Sequence, residues 1–213
     1  MFVTNQRYLA YAIAILVMFS NSAFAKDTVF RRVQLAYGIS LDVPSHWTRL
    51  SQDSRKNFRA SSQAMMENAG VEVSGSRKET LLAMNAAPNP AAAMIRVNVK
   101  LPPDYTQKYL ASVTPENLKE MTVETLSIFK KLEESGGPKV LEVFPIQIEK
   151  VNDYRVLIIS YIRMGINGTS PWQVTQYKIP TSNKLIEITL SHRLSDAPVW
   201  RPILEKVKRS VRF

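Results

Sequence analysis

From Ala93 to Leu101 the chain alternates: Ile95, Val97, Val99 and Leu101 are separated by Arg96, Asn98 and Lys100. Neighbouring side chains of an extended strand point to opposite faces, so a period of two predicts a half-buried strand here. The same period returns at Ile39, Leu41 and Val43, and again at Ile186, Ile188 and Leu190. A chain with this pattern near both ends and in the middle must build a sheet. Tyr154 to Met164 reads differently. Val156, Ile158 and Ile162 make one face apolar, and Leu157, Ile159 and Tyr161 the other, which predicts a central strand covered on both sides. Further strands are expected at Val29–Val43 (a pair turning at Tyr37-Gly38), Glu79–Ala86 and Trp172–Ile179. Val140–Glu149 reads as one strand bent near Pro145.

Three helices are expected between them. Ser51 to Ala69 begins at a serine cap and ends at Gly70. The second starts with Thr114 as N-cap and Pro115 at the first helical position. Leu118, Met121, Thr125, Ile128, Phe129 and Leu132 then follow the 3.6-residue period, and Gly136-Gly137-Pro138 stops it. That apolar stripe should lie on the sheet, with Lys119, Lys130 and Glu133 exposed. The third follows Ser195 or Asp196, with Val199, Ile203 and Val207 on its buried stripe. The expected class is α+β: a single domain from about Asp27 to Phe213, an antiparallel β-sheet flanked by helices on its faces.

Residues 1–25 have the layout of a secretory signal peptide. Arg7 is the basic end, Tyr8 to Phe19 is an uncharged apolar run, and Ala23-Phe24-Ala25 fits the small-x-small cleavage rule. The run is shorter than the roughly 20 apolar residues a membrane-spanning helix needs. Cleavage after Ala25 would leave a chain starting at Lys26 in the periplasm or outside the cell. With no Cys anywhere in its 213 residues, the chain offers no lipid-attachment cysteine, disulfide, zinc ribbon or catalytic thiol. Asn167-Gly168-Thr169 matches a glycosylation acceptor but reads as an ordinary glycine turn.

Lys and Arg outnumber Asp and Glu by 28 to 18, for a formal charge of +10. Two groups stand out: Arg49, Arg55, Lys56 and Arg59, and, towards the end, Arg201, Lys206, Lys208, Arg209 and Arg212. Such a surface draws anionic partners. An exported chain rarely meets nucleic acid, so lipid head groups, lipopolysaccharide phosphates or an acidic protein are the expected counterparts, with membrane contact at most peripheral. No catalytic, cofactor or metal residues are assigned. His46 and His192 sit in no metal-ligand spacing. Ser191, His192 and Asp196 do not make a triad, because adjacent strand residues diverge. Glu120, Glu124, Glu133 and Glu134 read as a solvated helix face, and Trp172, Tyr177 and Tyr161 as cross-strand packing.

Taken together, Gly38-Ile39-Ser40-Leu41-Asp42-Val43-Pro44-Ser45-His46-Trp47, the long middle helix, Lys184 to Ser191, Trp200 and the close from Lys206 to Phe213 resemble the PsbP/DcrB-like family. That family includes extrinsic photosystem proteins, exported bacterial relatives and a small Ran-binding factor. The resemblance implies an α/β/α sandwich and a binding or assembly role rather than catalysis. It gives Pro44 and Trp47 a structural part, with Trp47 closing the core at a strand end, and it transfers no metal, calcium or cofactor residue. The sequence as a whole leaves three function classes open: foremost a non-catalytic envelope binding or assembly protein with an anionic or protein partner, and as alternatives a small lipid or hydrophobe carrier and a hydrolase.

Overall fold

The computed structural model describes residues 28–71, 77–151, 153–165 and 170–213. The signal-peptide and Asn167-Gly168-Thr169 readings lie outside the described residues. The chain divides into two compact units, one made of its first segment to His46 together with Asp196–Phe213, the other of Trp47–Ser195.

In the first unit, β1 (Phe30–Gln34) and β2 (Ser40–Pro44) pair antiparallel. Between them the chain reverses through Tyr37 and Gly38, both at positive φ (62° and 74°). Glycine adopts that region freely, whereas a tyrosine there is uncommon. The period-two reading holds: Val33, Ile39, Leu41 and Val43 are buried. Helix α4 (Ala197–Ser210) packs against β2. Its inner stripe is wider than the sequence suggests. Ile203 and Val207 are buried as expected, together with Leu204, Ala197 and Ser210, while Val199 is half-buried.

The helix is fastened at its C-terminal end. Ser210 Oγ accepts from Asp42 N at 2.7 Å, and Arg32 Nη1 donates to Ser210 O at 2.7 Å while meeting Asp42 Oδ1 at 3.0 Å. A guanidinium on the last carbonyls complements the negative helix end. Ser40 and Arg212 then exchange backbone hydrogen bonds, each 2.8 Å, so the tail adds a bridge beside β2.

The second unit carries an eight-stranded sheet. Its strands are β3 (Thr48–Arg49), β4 (Arg77–Asn85), β5 (Ala93–Leu101), β6 (Val140–Val143), β7 (Gln147–Val151), β8 (Tyr154–Arg163), β9 (Trp172–Pro180) and β10 (Leu185–Arg193). The order is β3-β4-β5-β10-β9-β8-β6, with β7 also on β8, and every pairing is antiparallel. Two expectations change. The expected bent strand is two strands, because Pro145 has no N–H to keep the ladder going. The centre of the sheet is β10, not β8. β8 is apolar on both parities yet lies next to the edge, whereas in β10 even the polar Glu187, Ser191 and His192 are buried.

Helix α1 (Gln52–Asn68) starts at Ser51, whose side chain accepts from Ser54 N. A short helix, α2 (Gln107–Ser112), was not foreseen; Thr106 caps it and only Leu110 on it is buried. Helix α3 (Pro115–Glu134) has Thr114 as its N-cap, as expected, and Asn117 completes a capping box that the sequence reading did not include. Its stripe of Leu118, Met121, Thr125, Ile128, Phe129 and Leu132 does face inward, but each is only half-buried. Leu118 and Met121 pack around a small core of Leu110, Ile146 and Leu157, and the Phe129 ring sits 4.6 Å from that of Tyr161. Lys119, Lys130 and Glu133 are exposed.

Trp47, by contrast, is 3 % exposed. Trp47→Ala should cost about 3–5 kcal/mol, the usual range for a buried large aromatic. Phe129→Ala should cost less, about 1–3 kcal/mol, because only part of its surface leaves water. Urea unfolding of the two variants checks this; equal losses would contradict the difference in burial.

Candidate functional site

The five C-terminal cations lie on or just beyond α4, whose inner stripe turns them outward. Arg201, Lys206, Arg209 and Arg212 are exposed and Lys208 is half-buried. Their engagements differ. Lys208 Nζ and Arg209 Nε both meet Glu205 Oε1 at 3.1 Å. Some burial would raise the Glu205 pKa, but these two cations hold the carboxyl below its ordinary range. Lys206 Nζ stands 4.1 Å from the centre of the Phe30 ring, a cation–π contact that leaves its charge facing water. Arg212 Nη1 donates to Arg209 O and Val211 O, closing the helix end. Lys208 and Arg209 share Glu205, and the cations of this segment outnumber its carboxylates, a local positive excess that acts on anions at long range.

The other sequence cluster does something else. Arg55 on α1 donates through Nη1 to Leu81 O at 2.7 Å and Thr80 O at 3.1 Å. Arg59 reaches Lys78 O at 2.9 Å, and Arg49 reaches Leu81 O at 3.4 Å. β3 covers only the Met84–Asn85 end of β4, so the rest of that strand is a sheet edge. Its carbonyls are taken by three guanidiniums. These arginines bind α1 to the sheet and blunt an edge that would otherwise invite pairing. Lys56 is exposed.

The polar positions of the sheet interior were missed as a group. Glu187, on central β10, has Asn98 of β5 and Lys178 of β9 opposite it, so all three share one face. Lys78 of β4 reaches the same carboxylate, and Lys178 Nζ stands 3.7 Å from its Oε1. Burial would raise the Glu187 pKa, but Lys178 and Lys78 outweigh it and hold the group below its ordinary 4.5. Nearby, burial first and then Glu187 and Asp104 push the Tyr105 phenol above its usual range, so it stays neutral. Further along the sheet, burial and the neighbouring Arg163 push Arg96 down to about 10, which leaves it charged at neutral pH. Arg163 itself lies 5.9 Å from the Trp172 ring centre and donates to Met164 O. In sequence, Glu187 and Arg96 look like the outward half of an alternating strand. Only strand register shows that partners stand opposite them.

The remaining candidates fall apart in space. His46 is exposed, and His192 is buried with Nδ1 3.0 Å from Arg193 O. Ser191 and His192 occupy adjacent positions of β10 and so opposite faces. Trp172 and Tyr161 are buried and Tyr177 is half-buried opposite Ile158, as cross-strand packing requires. Pro44 is buried in β2. Among the described residues, no three His, Asp or Glu side chains converge as a metal site would need, and no helix is long and apolar enough to cross a membrane.

No family model matches the sequence, and no curated protein matches it. Solved structures do. The solution structure of cyanobacterial PsbP (CyanoP) from Synechocystis sp. PCC 6803 superposes with a TM-score of 0.52, covering 87 % of this chain and 92 % of that one at 10 % identity. The chain has a PsbP-like fold. LpqN, described as involved in cell envelope biogenesis of Mycobacterium tuberculosis, is also similar, at 11 % identity and a TM-score of 0.45 over 88 % of this chain and 93 % of that one. At such identities the likeness concerns the PsbP-like backbone alone and transfers no residue role.

Glu187 yields a pH prediction. The folded state holds its proton less tightly than the unfolded chain does, so its contribution to stability is complete above the ordinary value of 4.5 and drains as the pH falls further. At pH 7, Glu187→Gln should cost about 1–3 kcal/mol, as expected when a charge-assisted bond is lost. The gap between the variant and the parent should narrow steadily below pH 4.5. Urea titrations from pH 7 to pH 3 measure it; a gap that stays constant would show that the lysines do not act on this carboxylate.

Proposed function

We propose that this chain is an exported, non-catalytic binding or assembly protein of the cell envelope that meets an anionic partner through the outer face of α4. The observation that carries the reading is the helix itself. Ile203, Leu204 and Val207 are buried on one side, while Arg201, Lys206 and Arg209 are exposed. The arginines of α1 do not compete for this role, because three of that group serve β4 carbonyls. A PsbP-like fold and a leader-like first segment support an exported binding role. Phosphate-bearing lipid surfaces are the partner class that matches an outward-facing set of lysines and arginines.

Co-sedimentation with vesicles tests it. The exported chain should bind vesicles containing phosphatidylglycerol and ignore phosphatidylcholine. Raising salt from 0.1 M to 1 M shortens the Debye length from about 10 Å to about 3 Å and should abolish binding. A basic residue near an anionic membrane contributes about 1 kcal/mol. Replacing Arg201, Lys206 and Arg209 by Gln should therefore weaken binding about 100-fold. Neutral replacements are preferable to glutamates, which would crowd carboxylates against Glu205. Binding that survives salt or the triple replacement would refute the reading.

A further inference from the structure

The two edges of the large sheet are treated differently. On the β4 side the carbonyls of Lys78, Thr80 and Leu81 are occupied by arginines. The other end of the strand order is β6, which among the described residues pairs with β8 alone. Beside β6 runs an open groove of about 790 Å3, walled on one side by Leu126, Phe129 and Lys130 of α3 and on the other by Val140, Leu141 and Glu142. The pairing of β6 with β8 slips between Val140 and Glu142, so Leu141 is the extra residue of a bulge. Bulges at sheet edges re-aim side chains, and this one lines the groove. Leu126 and Leu141 are each 47 % exposed, and Val123, one turn back along α3, is 67 % exposed. Three large apolar side chains are thus left in water along one helix and its adjoining edge strand.

The rim carries charge of the opposite sign to the chain as a whole. Glu133, Glu134 and Glu142 line the groove against a single lysine, Lys130, in a protein where cations prevail by 28 to 18. An apolar floor with an acidic rim suits an apolar segment that carries cations, and it repels the anionic surfaces that α4 would attract. Interfaces draw most of their affinity from a few anchors seated in desolvated pockets, and the charges around them steer and select the partner.

We infer that the groove between α3 and β6 is a docking site for a short segment of a partner protein that presents apolar anchors flanked by Lys or Arg. An apolar side chain would cover Phe129, Leu126 and Leu141, and the flanking cations would face Glu133, Glu134 and Glu142. This surface is distinct from α4 and takes the opposite chemistry, so the protein could hold an anionic surface with one unit and a cationic peptide with the other.

Selection of random displayed heptapeptides on the exported chain tests the inference, followed by anisotropy titration of the best synthetic peptide. The expected result is enrichment of peptides that combine Leu, Ile or Phe with Lys or Arg. Binding should fall at least tenfold in the triple variant Glu133→Gln, Glu134→Gln and Glu142→Gln, and at least tenfold in Leu126→Gln with Leu141→Gln. All five residues are on the surface, so the folds should survive; if the leucine variant unfolds, the glutamate variant decides. The α4 variant lacking Arg201, Lys206 and Arg209 should bind the peptide normally, which separates failure here from failure of the anionic reading. Enrichment of no sequence, enrichment of acidic sequences, or binding indifferent to both groove variants would overturn the inference. So would self-association of the chain that the leucine replacements abolish, since the occupant would then be a second copy.

Discussion

A carboxylate sits in the middle of the central strand. Glu187 is almost wholly buried, and a lone ionised group there would cost far more than a small unit can supply. It is tolerated because Lys78 from β4 and Lys178 from β9 bring cations to it from both directions along the sheet. The large unit depends on this arrangement, because the three strands can satisfy Glu187 only in one register. A slip of one residue would turn Glu187 to the other face and exchange it with Ile186 or Ile188. The ion pair therefore acts chiefly as a register device. Its net stabilisation is modest, since desolvation offsets much of the attraction.

The rest of the charge can be sorted by the same question of what each cation faces. Arg49, Arg55 and Arg59 face backbone carbonyls and close a sheet edge. Arg32 and Arg212 face the last carbonyls of α4. What is left on α4 is a set of outward cations, two of which, Lys208 and Arg209, share Glu205. A formal charge of +10 thus overstates the functional surface, and the positions that remain exposed define it better than the total does.

Much of the architecture was legible in the sequence because burial writes a period into it. β5 and α3 are where alternation and the 3.6-residue period place them, and the caps at Ser51 and Thr114 act as their side chains suggest. Order within the sheet was not legible. The apolar richness of β8 mimics a central strand, while β10 hides its centrality behind Glu187, Thr189 and Ser191, polar residues whose partners come from other strands. The outward turn of Arg201, Lys206 and Arg209 followed from the helical stripe. The structural use of Arg55 and Arg59 did not, because it depends on where a distant strand edge runs. The groove at β6 escaped for a related reason. Leu126 and Leu141 look like ordinary core residues until the strand order shows that, among the described residues, β6 ends the sheet.

The central claim is that α4 is the face by which the protein meets its anionic partner in the envelope. A photo-cross-linking residue placed in turn at positions 201, 206 and 209, and for comparison at 56 and 59, tests it in living cells. The account predicts adducts with phosphate-bearing lipid from the α4 positions, lost when cells are lysed in high salt before irradiation, and none from the α1 positions. Adducts from positions 56 and 59 with none from α4 would contradict it.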